Sequence, residues 1–132
     1  MKYKKDDVIY LGKININKFS KNDYSDELII TTKQIQHIKL KHPFIYEKYY
    51  EKFLSIVNNP DYIFEDNRNK DTILVCKCIN KKNNSIIIVI KLVLKENIDD
   101  YKSSIITAFE IKTKRLEGHK KTNKVIYNKD IL

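Results

Sequence analysis

Eight of the nine residues at positions 86–94 are apolar, most of them β-branched, and the exception is Lys91. A continuous run of that kind predicts a strand, and one so apolar belongs at the centre of a sheet with both faces covered. It falls well short of the roughly 18 apolar residues of a membrane span, and no other stretch of the chain is longer. By strand alternation Lys91 lies on the face of Val89 and Val93, opposite Ile90 and Leu92. An unpaired ammonium in such surroundings costs on the order of several kcal/mol. Either the face opens there to a cleft, or the lysine snorkels from a sheet edge.

Three more strands flank this one. They are expected at residues 61–66, 72–79 and 103–111, with the apolar run itself read as 85–94. Polar turns separate them, Asp66-Asn67-Arg68-Asn69 first and then residues 80–84 and 97–100. Connections this short predict antiparallel neighbours in a meander. Before residue 60 the period is helical. Thr31 or Thr32 is a good N-cap, Ile35 and Ile38 mark an apolar side, and a helix is expected over 32–41, ended by Pro43. A second helix starting at Pro43 carries Phe44, Ile45, Tyr49, Phe53, Leu54 and Val57 and stops at Asn58-Asn59-Pro60. Residues 8–16 read as an irregular extended segment broken by Gly12, and 23–27 as a polar turn before the short run Leu28-Ile29-Ile30. A short helix at 113–120 and a strand at 124–127 close the chain. The expected fold is α+β, an amino-terminal helix pair packed on an antiparallel sheet of four or more strands.

The 132 residues suffice for one compact domain and are too few for two of ordinary size. Lys and Arg outnumber Asp and Glu by 26 to 17, a net charge of +9, which suits a polyanionic partner such as nucleic acid or an anionic membrane surface. Codon bias in an AT-rich genome yields the same excess, so its placement is more informative. Residues 1–60 carry +4, 61–111 carry 0 and 112–132 carry +5. The last segment interleaves Lys112, Lys114, Arg115, Lys120, Lys121 and Lys124 with Tyr127, a pattern suited to phosphate tracking and also to a solvated basic surface. The first residues lack a signal peptide's apolar stretch, so a cytoplasmic location is expected. Cys76 and Cys78 flank one residue, too close for a good mutual disulfide, and read as reduced core thiols.

Chemistry gathers at two places. Antiparallel pairing brings Ser103-Ser104-Ile105-Ile106-Thr107 beside Lys91, and a lysine with hydroxyls holds a phosphate. His37 and His42 are general acid or base candidates near neutral pH. At about 100° per residue His42 falls on the arc of Ile35 and Ile38, while His37 points away with Lys41, so the two need not act together. Their spacing is not that of zinc ligands, and no third ligand is at hand, so no metal is expected. His119 reads as a solvated side chain.

Taken in order, residues 30–43 with the pattern His37-Ile38-x-x-x-His42-Pro43, then Asn59-Pro60-Asp61-Tyr62-Ile63, the apolar strand broken by Lys91, the Ser103 to Thr107 segment and Lys124-Val125-Ile126-Tyr127 resemble the phage and mobile-element nuclease domains grouped with barnase, EndoU, the tRNase colicins and RelE. The resemblance spans roughly residues 28–130 of a single domain. It implies metal-independent, cofactor-free RNA cleavage, in which the ribose 2′-hydroxyl attacks the adjacent phosphate and leaves a 2′,3′-cyclic phosphate and a 5′-hydroxyl. The residues it implicates are His37 or His42 as acid and base, Lys91 for phosphate charge, and Ser104 and Thr107 as hydrogen-bond donors. Arg115, Lys121, Lys124 and Tyr127 would contact substrate. RNA is the implied partner, tRNA or ribosome-bound message included, with an antitoxin or immunity protein as a further candidate. Arginine often occupies the position of Lys91 in such nucleases, and a lysine does not make the bidentate phosphate contact. The alternative is a non-catalytic relative that binds nucleic acid or a host protein, such as an inhibitor of host defence.

Overall fold

The structure, a computed structural model, describes residues 8–79, 84–95 and 102–129. The expected turn at 97–100 and most of that at 80–84 lie outside the described residues. Chain order is β1 (Val8–Lys13), β2 (Glu27–Thr31), α1 (Thr32–Lys41), α2 (Pro43–Tyr49), α3 (Phe53–Asn58), β3 (Tyr62–Glu65), β4 (Thr72–Cys78), β5 (Asn84–Lys91), β6 (Ser103–Lys112), α4 (Leu116–Thr122) and β7 (Val125–Asn128). Seven strands form one sheet in the order β1-β2-β6-β5-β4-β3-β7, so the apolar run occupies its centre.

The meander β3 to β6 is antiparallel throughout, as the short connections require. Two features of the expected fold are corrected. Strands, not helices, come first, and the sheet is mixed, because β2 runs parallel to β6 through Leu28↔Ser103 and Ile29↔Ser104. The run Leu28-Ile29-Ile30 is too short to declare a period, yet all three residues are buried, as in a strand paired on both sides and covered on both faces. Gly12 does not break β1 but bulges it. The pairing with β2 shifts register between Tyr10 and Gly12, and Gly12 takes φ +144 against Leu54.

Alternation divides the side chains between two faces. On the first, Leu28, Ile30, Ile73, Val75, Ile88 and Ile90 pack against Ile35 and Ile38 of α1, Ile45 of α2 and Phe53, Ile56 and Val57 of α3. Full burial of each large aliphatic chain is worth about 1.5–3 kcal/mol, and this is the main core. Thr31 caps α1 through its side-chain oxygen, which accepts from the Gln34 amide at 3.2 Å. The second expected helix is broken into α2, a 3-10 turn at Tyr50–Lys52 and α3. On the opposite face a smaller cluster joins Phe64, Leu74, Cys76 and Ile87 to Leu116 of α4. Cys76 is buried here, whereas Cys78 is exposed and is not the core thiol expected. Among the described residues no helix is long and apolar enough to cross a membrane.

Candidate functional site

The second face is only half covered. Over β3 and β4 it lies under α4, where Lys120 stands over the Tyr62 ring at 4.4 Å and His119 packs 6.2 Å from Phe64, so His119 is not the freely solvated side chain expected. Over β5 and β6 the same face is a partly open strip. Ser104, Thr107, Val89 and Phe109 are half-buried and Lys91 is exposed, while Ile86, Ile88, Ile90, Ile105 and Ala108 behind them are sealed.

Antiparallel pairing sets Lys91 opposite Ser104 on one side and Thr72 on the other, as the hydroxyl segment predicted. The ammonium donates to the Lys70 carbonyl at 2.7 Å. The opening at the strand end removes the desolvation cost that its apolar neighbours implied. Ser103 does not join them. Its hydroxyl donates to the Ser25 carbonyl and accepts from the Val93 amide, fastening the end of β6. Thr107 pairs with Val89 in the middle of the strip, and a β-bulge between Val89 and Ile90 resets the register beside it. Its buried hydroxyl oxygen has no hydrogen-bond partner among the described residues. A buried polar group left unpaired is uncommon, and here it stands on the face that opens.

His42 lies at the far rim, its ring 6.0 Å from Phe109. It is no longer on the helical wheel of α1, because its φ of −140 and ψ of 60 mark the corner before Pro43. The corner brings the His42 ring within 6.3 Å of His37, which the wheel had set on another side of the helix. His42 is half-buried and His37 exposed. Burial pushes the His42 imidazole below its ordinary proton affinity, and the charges of His37 and Lys41 add to the effect. Sequence reasoning missed Phe109. Its signal was available, since it follows Thr107 by two residues and so shares its face.

Lys91 and His42 do not meet. Ile87, the partner of Phe109, is four residues from Lys91 along β5, about 13 Å at 3.3 Å per residue. Thr107 stands between them. Arg115 is exposed in the 3-10 turn before α4, and Lys121 is exposed on α4. The other two tail residues turn elsewhere. Lys124 lies 4.0 Å from Glu65 near the edge of the sheet, and the Tyr127 ring meets Phe19 at a tilt, 4.8 Å between centroids, and packs against the main core, on the face opposite Thr107. Alternation could not reveal this, because the facing of β7 depends on its register with β3.

Asp61, in the Asn59-Pro60-Asp61-Tyr62-Ile63 element, is a fastening and not a reactive group. Its carboxylate is buried, accepts from the Cys78 amide at 2.7 Å and lies 2.8 Å from Lys129 and 3.6 Å from Lys77. Burial raises its proton affinity, but these partners outweigh the burial and hold the carboxyl below its ordinary range. Among the described residues no three His, Cys, Asp or Glu side chains gather as a metal site.

The family model described as phage-Barnase-EndoU-ColicinE5/D-RelE like nuclease3 matches residues 7–118. The match takes in β1, ahead of where the sequence resemblance began, and stops within α4. No curated protein and no solved structure matches the chain.

Proposed function

Because the chain belongs to the phage-Barnase-EndoU-ColicinE5/D-RelE like nuclease family, we propose that it is a metal-independent endoribonuclease of a phage or mobile element and that the open strip over β5 and β6 is its cleavage face. The pairing of His37 and His42 at the rim of that strip is the observation that carries this reading. Cleavage by the neighbouring 2′-hydroxyl needs a base on one side of the phosphate and an acid on the other. His42, with its lowered proton affinity, is the base that takes the 2′-hydroxyl proton. The 2′-oxygen then bonds to phosphorus, the bond to the 5′-oxygen breaks, and His37 supplies the proton that the leaving oxygen takes up. The unpaired Thr107 hydroxyl donates to a phosphate oxygen as negative charge builds there.

Lys91 and Ser104 lie too far along the strip to share that phosphate, and they hold the next part of the strand. Arg115 and Lys121 extend the positive surface on the α4 side. Phe109 offers a ring on which a base stacks.

A second reading, a nuclease-like module that binds nucleic acid or a host protein without cleaving, is favoured by the separation of Lys91 from the histidines. Incubating the protein with end-labelled RNA and tRNA in EDTA and identifying the product ends decides between the two. Cyclic phosphate and 5′-hydroxyl ends support the nuclease reading, while binding without cleavage supports the second.

A further inference from the structure

A cavity of about 690 Å³ is lined in part by Lys70, whose carbonyl receives the Lys91 ammonium. It is large enough for a nucleotide. Its lining is mixed, with Ile16, Phe19, Ile73 and Leu92 among the apolar residues and Lys21, Lys70 and Lys124 beside the carboxylates of Glu65, Asp66 and Asp71. One acceptor in it is fixed in advance. Tyr24 is 5% exposed, receives a hydrogen bond from the Asn22 side-chain Nδ2 at 3.1 Å and donates its own hydroxyl to Asp71 Oδ1 at 2.7 Å. Asp71 is held in the left-handed region at φ 57, and its carbonyl accepts from the Leu92 amide at 2.7 Å. The carboxylate keeps a second oxygen with no hydrogen bond among the described residues.

We propose that this cavity is a base-recognition pocket for a nucleotide further along the bound strand, beyond Lys91, and that it selects bases bearing an exocyclic amine. The inference rests on the nucleic-acid reading above. An aromatic and aliphatic wall suits the flat face of a base, and lysines suit the phosphates attached to it. A preorganised carboxylate oxygen accepts from the amine of adenine, guanine or cytosine, whereas uracil presents a carbonyl at that position and repels it. Lys70 joins the two sites, since its carbonyl receives Lys91 while the residue lines the cavity. The wall formed by Lys124, Val125 and Ile126 comes from beyond residue 118, outside the stretch the family model covers.

The test is a titration of the full chain with AMP, GMP, CMP and UMP, followed by amide NMR, in the wild type, Asp71→Asn and Lys124→Ala. AMP, GMP and CMP are expected to bind at least about tenfold more tightly than UMP, with shifts at Ile73 and Ile126. Asp71→Asn still accepts from Tyr24 but loses the discrimination, and the exposed Lys124→Ala weakens all four by a similar factor. Equal affinity for UMP, discrimination that survives Asp71→Asn, shifts confined to Thr107 and Phe109, or no binding at all overturns the pocket. The nuclease reading fails separately: base-selective binding here by a protein that cleaves no RNA leaves the pocket standing, and cleavage without such binding leaves the nuclease standing.

Discussion

His42 loses proton affinity mainly through burial, with His37 and Lys41 adding repulsion. A histidine whose folded proton affinity is depressed contributes stability that is fully present above its unfolded value and is lost as pH falls through the folded one. The same shift keeps the base form available to lower pH. A His42 titration followed by NMR is expected to show a midpoint below that of a free histidine, and in His37→Ala the midpoint moves part of the way back up. The acid limb of the cleavage profile should move with it. A midpoint at the free value in the wild type would remove the basis for assigning His42 as the base. The residue types at this site were legible in the sequence, but their company was not. The wheel placed His42 correctly towards the body of the fold, then failed for the pair, because the corner at Pro43 lies outside any helical period. Lys91 beside Ser104 followed directly from antiparallel register. Asp61 gave no sign of its role, since its partners lie at Lys77, Cys78 and Lys129, contacts that only the folded sheet creates.

At the scale of elements, α1 and the meander β3 to β6 were readable because each announces itself by local period and by turn residues at its ends. The strands β1 and β2 were not, for opposite reasons. β2 is short and uniformly apolar, and β1 carries a glycine that resembles a break while serving as a bulge. The bulge makes a direct prediction. Gly12→Ala forces a side chain into a φ of +144 and against Leu54 Cδ2 at 2.5 Å, and should destabilise the protein by about 1–3 kcal/mol. Gly118→Ala is the control. It lies in α4 with nothing within 4 Å of the added carbon, and removing a helical glycine should stabilise by about 0.5–1 kcal/mol. Urea unfolding of both variants with unchanged slopes checks the pair. A neutral Gly12→Ala would mean that β1 does not bear on the core as described.

Across the whole molecule, the sheet separates two kinds of surface. The face under α1 to α3 is sealed and supplies stability, and the face over β5 and β6 is left partly open between the α1 corner and α4. The tail residues that looked like one basic, aromatic track in the sequence divide, Arg115 and Lys121 being exposed at α4 and Tyr127 packing on the main-core face. That division gives the most direct test of the central claim, that the open strip is where RNA is cut. The measurement is single-turnover RNA cleavage in EDTA by the wild type, His42→Ala, Thr107→Val, Lys91→Ala and Tyr127→Phe, each with its folding checked by circular dichroism. His42→Ala is expected to lose about 10²–10⁴-fold in the chemical step. Thr107→Val should be slower by a smaller factor, Lys91→Ala should chiefly weaken binding, and Tyr127→Phe should cleave as the wild type does. Cleavage that survives His42→Ala unchanged, or that disappears in Tyr127→Phe, would contradict the assignment of this face.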